Sequence, residues 1–578
     1  MNAPYIPSEA PFSEDQRAWI NGFMAGVKAQ AALGLVHVAP AEAQAKAQPL
    51  DILFGTQTGN AEEVANDAAA LARARGFEPR VADLDAVEMD QLVEMENLIV
   101  VISTYGEGEM PDNAELFWEA LSATTAPRLE SLNYGVLALG DTSYEHFCQA
   151  GKLLDTRLEQ LGARRLAARV DCDVDFEEAA EAWLDGTVPH GDGPVAKAAP
   201  APLPKKSGWS RKTPYLSTML DNRILSGRKS AKEIRHIAFA LPEEGMSYEA
   251  GDALGVMPVN APDLVAAWLD RLGVGAETQI DGRDATLGHL LTTALEIMTP
   301  SREMIRGLEP LLRDDEFSHV VGNGDKEALE AFLWGRDALD LLNLKPELVL
   351  DPQQVVGWLK PLQHRAYSIS SSPKAHPGEV HLTVAAVRWM YEGRPHRGVC
   401  STFLADHVPE GAQAGIFMQT NKAFRVPEED DRPMVMVGPG TGIAPFRAFL
   451  EERRERGATG MNWLFFGDQH RASDFIYDEE IGAMSASGLL TRLDLAFSRD
   501  QAEKIYVQHR MIENGKDLYA ALEEGGHFYV CGDATRMAKD VDAALHKVVG
   551  DHGGLSEDAA TEYVNRLKRE KRYVRDVY

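Results

Sequence analysis

Between residues 50 and 186, short apolar runs alternate with stretches whose apolar residues recur every three or four positions. The runs are "LDILFG", "PRVADL", "NLIVVIS", "YGVLALG" and "RLAARVD"; helical spacing follows from Ala61, near Leu116 and near Leu153. Apolar strands alternating with helices predict a parallel sheet covered on both faces, with its ligand site at the carboxyl ends of the strands. From Tyr215 to Pro258 the pattern turns to short β runs, "IRHIAFAL" and "GDALGVMPVN", as an antiparallel barrel shows. Residues 262 to about 345 are rich in Leu and Ala at helical spacing and predict a helical insert. Barrel strands resume at "RAYSISSSP" and "EVHLTVAAV". The last section opens on "PMVMVGPGTGIAPFRAFLEER", a buried strand, a glycine turn at Gly438 to Gly442 and a helix near Pro445, the entry of a dinucleotide-binding fold.

Two breaks divide the chain. "HGDGPVAKAAPAPLPKKSGWSRKTP" (His190 to Pro214) has the Pro, Ala, Gly and Lys content of a semi-rigid linker. "APAEAQAKAQP" at residues 39–49 isolates an N-terminal segment in which Trp19, Ile20, Phe23, Met24 and Val27 share a helix face, predicting a docking element or a cap on a neighbour. The expected division is an N-terminal segment at 1–49, a parallel-sheet domain at 50–188, a linker at 189–212, a barrel with its insert at 213–430, and a nucleotide domain at 431–578. A chain of 578 residues is too long for a single core. Its 58 Lys and Arg against 89 Asp and Glu leave −31, which argues against nucleic acid and permits docking to a basic protein surface. Cys148, Cys172, Cys400 and Cys531 are dispersed, without metal-ligand spacing, so neither a metal centre nor a disulfide framework is expected. The chain start lacks the pattern of a secretory signal and no apolar run approaches a membrane span, so the expectation is a cytoplasmic protein.

"GTQTGN" leaves the first strand and opens a helix, where backbone N–H groups and the positive helix end suit a phosphate. It has no lysine to act on a transferring phosphoryl group, so Thr56, Gln57, Thr58, Gly59, Asn60 and Ala61 are expected to hold a phosphate at rest. Two further loops reach the same sheet edge. "STYGEGE" carries Ser103, Thr104, Tyr105 and Gly106; "LGDTSYEHFC" carries Leu139, Gly140, Asp141, Tyr144, Phe147 and Cys148. Two tyrosines flanking a phosphate loop make a slot for a flat ring. These three motifs, in this order, resemble the flavodoxin-like domain of the diflavin reductases. The resemblance implies FMN, its ring between Tyr105 and Tyr144, with Asp173 of "DCDVDFEE" at the flavin edge.

The second half resembles the ferredoxin-reductase-like half of the same family, giving an α/β multidomain fold with a flavodoxin-like doubly wound sheet, a barrel with helical insert and a Rossmann-like domain. The resemblance implies FAD held by Arg365, Ala366, Tyr367 and Ser368, by Thr383, Val384 and Ala385, and by the turn Gly398, Val399, Cys400 and Ser401. A guanidinium suits pyrophosphate, and a hydroxyl at Ser368 suits the reactive ring nitrogen. Thr441, Ser498, Arg499, Lys504, Tyr506, Gln508 and Asp540 match the nicotinamide-side motifs. Serine, arginine and lysine converging on one ribose favour NADPH over NADH. The resemblance places Ser368, Cys531 and Asp576 along the hydride path and lays Tyr578 over the flavin ring as a gate.

The implied relay runs from NADPH through FAD and FMN to single-electron acceptors on another protein. The ending "RDVY" and "LGDTSYE" resemble the soluble sulfite reductase flavoproteins, which implies a sulfite reductase haemoprotein as partner and no membrane. Tyr105 departs from that branch, so a nitrate-reducing or other haem partner stays open, as does a flavin-binding module without turnover. Oligomeric state is not legible. The linker predicts that the FMN domain moves between FAD and its acceptor.

Overall fold

The computed structural model describes residues 13–32, 48–106, 108–142, 144, 146–190, 208–322 and 325–578. Most of the expected linker, the first twelve residues and the break before Gln48 lie outside them. The helix Glu14–Ala32 leaves Trp19 70% and Phe23 59% exposed, their rings stacked at 5.6 Å. As described, this face caps no neighbouring domain.

The first unit is built on β1 (Gln48–Gly55), β2 (Phe77–Asp83), β3 (Asn97–Ser103), β4 (Asn133–Leu139), β5 (Arg164–Arg165) and β6 (Val170–Cys172). They form a parallel sheet in the order β2-β1-β3-β4, with β5 and β6 both on β4. Leu98 to Ile102 are all buried because helices cover both faces. The helix Asn60–Ala74 approaches closely on one face through Ala61, Ala65, Ala68, Ala69 and Ala72. On the other, Phe117 and Leu121 join Leu154 and Leu158 over Leu53, Val100 and Ile102. Since β1, β3 and β4 run the same way, Gly55, Ser103 and Leu139 deliver the three motif loops to one edge.

The second unit comprises β7 (Tyr215–Ile224), β8 (Glu233–Ala240), β9 (Ala253–Met257), β10 (Arg365–Ser368), β11 (Glu379–Ala386), β12 (Arg388–Tyr391), β13 (Arg394–Arg397) and β14 (Gln413–Gln419). Its antiparallel sheet, ordered β10-β9-β14-β7-β8-β11, closes where Ile369 bridges Leu382 and Ser370 N–H donates to His381 O at 2.8 Å. Between β9 and β10 lies the helical insert, packed around the fully buried Trp268. It runs to Trp358 rather than stopping near 345. Asp351 caps a further helix, Pro352–Trp358, by accepting from Gln353 N–H, and Pro352 occupies its first turn.

The last unit holds β15 (Met434–Val437), β16 (Asn462–Asp468), β17 (Arg492–Phe497), β18 (His527–Gly532) and β19 (Tyr573–Val577), parallel in the order β17-β16-β15-β18-β19. The chain therefore ends as a strand. Arg575 pairs in register with Val530, Asp576 with Cys531 and Val577 with Gly532.

Candidate functional site

The loop after β1 is shaped around one glycine. Gly59 has φ +88°, which L side chains rarely adopt, and its N–H donates to Thr56 Oγ1 at 2.9 Å. Thr56 N–H donates to Asn113 Oδ1 at 2.7 Å. The N–H groups of Gln57, Thr58, Asn60 and Ala61 meet no acceptor among the described residues. Donors unpaired at the start of the helix Asn60–Ala74 fit an anion such as the FMN phosphate. Gln57 Oε1 accepts from Asp112 N–H at 3.1 Å.

Tyr105 and Tyr144 reach the same edge but differ. Tyr144 is exposed, whereas Tyr105 is partly buried and its hydroxyl donates to Val577 O at 3.0 Å. Burial, with Asp112 nearby, pushes the Tyr105 phenol up to about 12, so it remains a neutral donor. Gly106 takes φ +53°, Ser103 Oγ donates to Gly55 O, and Thr104 Oγ1 accepts from Ala150 N–H. At Gly140 a Cβ would lie 2.8 Å from Cys148 N, so glycine is what lets that loop close. Leu139 and Cys148 are buried; Asp141 and Phe147 are half-buried on the same loop. Burial works against ionisation of Asp173, yet bonds from Thr142 Oγ1 (2.6 Å), Thr142 N–H (3.0 Å) and Val174 N–H (2.9 Å) hold its carboxyl below the ordinary value.

On the barrel, Arg365 is half-exposed; its guanidinium lies 3.7 Å from Glu296 and donates to Gln363 O at 3.3 Å and His364 O at 3.1 Å. The Cys400 thiol lies against Tyr367 and Arg365, and burial pushes it up to about 12. Gly398 caps the short helix Val399–Thr402, and the N–H groups of Val399, Cys400 and Ser401 meet no acceptor among the described residues. A half-exposed guanidinium beside unpaired N–H groups fits a pyrophosphate. Ala366 is exposed, while Val384 is buried. Ala385 lies between them in exposure, and the Thr383 hydroxyl is committed to the Tyr477 hydroxyl at 2.8 Å.

The barrel and the last sheet meet at one cluster. Ser368 Oγ donates to Asp576 Oδ2 at 2.5 Å, and Cys531 Sγ approaches the same oxygen at 3.8 Å. Burial raises the Asp576 carboxyl above its ordinary value, opposed by these two bonds. Burial and the neighbouring Asp576 keep Cys531 a thiol. A Cβ at Gly442 would sit 2.1 Å from Cys531 O, so the glycine turn packs directly on β18. Beyond it, Tyr578 is anchored rather than frayed. Its N–H donates to Gly532 O (3.0 Å), its hydroxyl bonds Thr441 Oγ1 (2.9 Å), and the residue stays 61% exposed. At the end of β17, Ser498 is buried beside Arg499, and Arg499 and Lys504 are exposed with no ion pair among the described residues. Exposed cations on the segment that follows Ser498 fit a phosphate-bearing nucleotide. Gln508 donates to Asp540 Oδ2 at 3.0 Å, and Tyr506 opens that helix.

Ion pairs outside every sequence motif join the first unit to the rest of the chain. Arg575 donates from Nε and Nη2 to Asp112 (3.0 and 2.5 Å) and from Nη2 to Glu115 (2.9 Å). Lys571 pairs with Asp83, Lys568 with Glu115 and Lys422 with Glu62. Lys360 donates to Thr142 Oγ1 at 2.8 Å and faces Asp173, while Arg211 binds Asp175 and Glu177. In each of these pairs the acid belongs to the first unit. Neither Arg575 nor these lysines stand in a motif that marks such a contact.

Three family models match the chain: flavodoxin over residues 52–183, an FAD binding domain over 208–403, and an oxidoreductase NAD-binding domain over 436–543. With the two anion cradles and the Ser368–Asp576–Cys531 cluster, this order of modules defines a diflavin reductase, with FMN, FAD and NADPH as its cofactors. The chain is 40% identical to the sulfite reductase [NADPH] flavoprotein alpha-component of Bacillus subtilis, over 100% of its length and 99% of that protein's. It is 42% identical to that of Vibrio cholerae (97% and 93%) and 41% to that of Shewanella sp. strain MR-7 (97% and 95%). The chain belongs to the family of NADPH-dependent sulfite reductase flavoprotein alpha-components.

Proposed function

We propose that this chain draws hydride from NADPH and delivers single electrons to a sulfite reductase haemoprotein, which reduces sulfite to sulfide. FAD and FMN supply the conversion of a two-electron donor into single electrons. The chain's own residues supply binding and orientation. The N–H groups of Gln57, Thr58, Asn60 and Ala61 hold the FMN phosphate, and Arg365 with the Gly398 turn holds the FAD pyrophosphate. Arg499, Lys504 and Ser498 bind the phosphate-bearing ribose of NADPH. Tyr578, tied to Thr441, lies where the nicotinamide must enter and moves aside for it.

One observation carries this reading: Asp576, on the last strand of the nucleotide unit, meets Ser368 of the barrel and Cys531 of the adjoining strand in one partly buried cluster. Such a cluster orients the Ser368 hydroxyl between two units. The four cysteines, all buried and unpaired, support work in a reducing compartment, the cytoplasm. No described helix is long and apolar enough to cross a membrane.

Flavin-loaded protein should reduce cytochrome c with NADPH and, with the haemoprotein added, turn over sulfite rather than nitrate. Ser368→Ala should slow FAD reduction by NADPH about tenfold or more while dithionite still reduces FMN. Loaded protein that leaves cytochrome c oxidised would refute the enzymatic reading; turnover of nitrate alone would reassign the partner.

A further inference from the structure

Neighbouring residues of β19 serve different units. Successive side chains of a strand leave opposite faces, so Asp576 reaches Ser368 and Cys531 while Arg575 reaches Asp112 and Glu115 of the first unit. Arg575 is a firm attachment, with a side chain only 16% exposed. Burial opposes its charge, but Asp112 and Glu115 together hold it well above its ordinary value. Its two-point bond to Asp112 leads straight into the phosphate loop, because Asp112 N–H meets Gln57 and the adjacent Asn113 meets Thr56. Tyr105 adds a second attachment at Val577 O. One residue later comes Tyr578, bonded to Thr441.

We propose that Arg575 is a positioning residue that couples docking of the first unit to nicotinamide entry. While the first unit is docked, the two ion pairs of Arg575 with Asp112 and Glu115 and the Tyr105 bond clamp β19, keeping Tyr578 across Thr441. Release of the first unit frees the strand end, and a nicotinamide nucleotide then displaces Tyr578 more easily. Coupling between two sites is reciprocal, so nucleotide binding favours release of the first unit by the same factor. The order this imposes is useful. The first unit leaves toward its acceptor as a fresh nucleotide arrives, and it returns once Tyr578 is back in place. The inference rests on the reading that Tyr578 covers the nicotinamide's place.

The test uses the full-length, flavin-loaded protein, with NADP+ as probe. Asp112→Asn/Glu115→Gln changes only first-unit residues, away from the nucleotide cradle. It should tighten NADP+ binding about fivefold and speed hydrogen–deuterium exchange across residues 573–578. Arg575→Leu should do the same, combining all three changes should add nothing further, and Arg575→Lys should restore part of the clamp. Flavin absorbance reports any loss of FMN; should the double variant lose it, Glu115→Gln alone carries the measurement. Unchanged affinity and exchange in the first-unit variants, or effects that add to those of Arg575→Leu, would overturn the coupling. Failure of the unaltered protein to bind NADP+ would instead strike the functional reading, and the exchange data alone would then decide whether β19 is clamped.

Discussion

Asp85 shows how a single partly buried carboxyl shapes this molecule. It lies in the turn Leu84–Ala86 and its Oδ1 accepts from Phe117 N–H at 2.8 Å, at the start of the helix Glu115–Ser122. Burial raises its pKa from 3.8 to about 6, with the Phe117 bond pulling the other way and Glu115 adding to the rise. A carboxyl raised in the folded state favours folding while protonated; that contribution is full below about pH 4 and is lost as pH climbs through 6. Asp85→Asn keeps the acceptor without the charge. It should stabilise the first unit by about 1–3 kcal/mol at pH 8, and the gain should vanish toward pH 4. Melting curves of both proteins at the two pH values would check this; an equal gain at both would mean that charge burial is not the cause. Other residues were legible because their chemistry is local. Thr56, Gly59 and Ser368 stand in motifs, whereas Arg575 depends on Asp112 and Glu115, more than 450 positions away in the chain.

At the scale of elements, strands buried on both faces were easy to read, since a parallel strand needs apolar residues throughout. The hairpin of β12 and β13 was not expected. Its two-residue turn, Glu392 (φ 47°) and Gly393 (φ 82°), has both angles positive, as tight hairpins require, and the "EG" pair was its cue. The end of the insert was misjudged because "KPELVL" interrupts the helical spacing before Asp351 starts another helix. Packing between elements is close where the turn Gly440–Ile443 meets β18. Gly442→Ala would drive a methyl group into Cys531 O, 2.1 Å from the ideal Cβ position, with backbone that cannot yield cheaply. We expect a loss of about 1–3 kcal/mol from the nucleotide unit and a weaker NADP+ affinity, with FMN absorbance unaltered. Calorimetry with nucleotide titration would show it, and normal NADP+ binding would mean that the turn tolerates displacement.

Across the whole molecule, the docked arrangement depends on charge of fixed polarity. The lysines and arginines of the second and third units and of the segment before β7 meet the acids of the first unit, in a chain whose net charge is −31. Exposed pairs such as Lys422–Glu62, with the lysine 63% exposed, are sensitive to salt because screening shortens to about 3 Å at 1 M. Raising salt from about 0.05 to 0.5 M should release the first unit and enlarge the radius of gyration in solution scattering. Lys422→Ala should move that transition to lower salt. A scattering curve indifferent to salt would show that apolar contact, not charge, holds the units together.

The amino-acid sequence by itself determined the order of modules, the parallel and antiparallel character of their sheets and the loops that cradle phosphates, because periodicity, glycine turns and caps act over a few residues. Tertiary structure alone decided which loops meet. It carried the chain end into the last sheet as a fifth strand, set Asp576 against Ser368 across two units, and turned Arg575 toward the acids of the first. These contacts arise from strand register and unit packing, which bring together residues hundreds of positions apart, and no local pattern in a single chain records such a meeting.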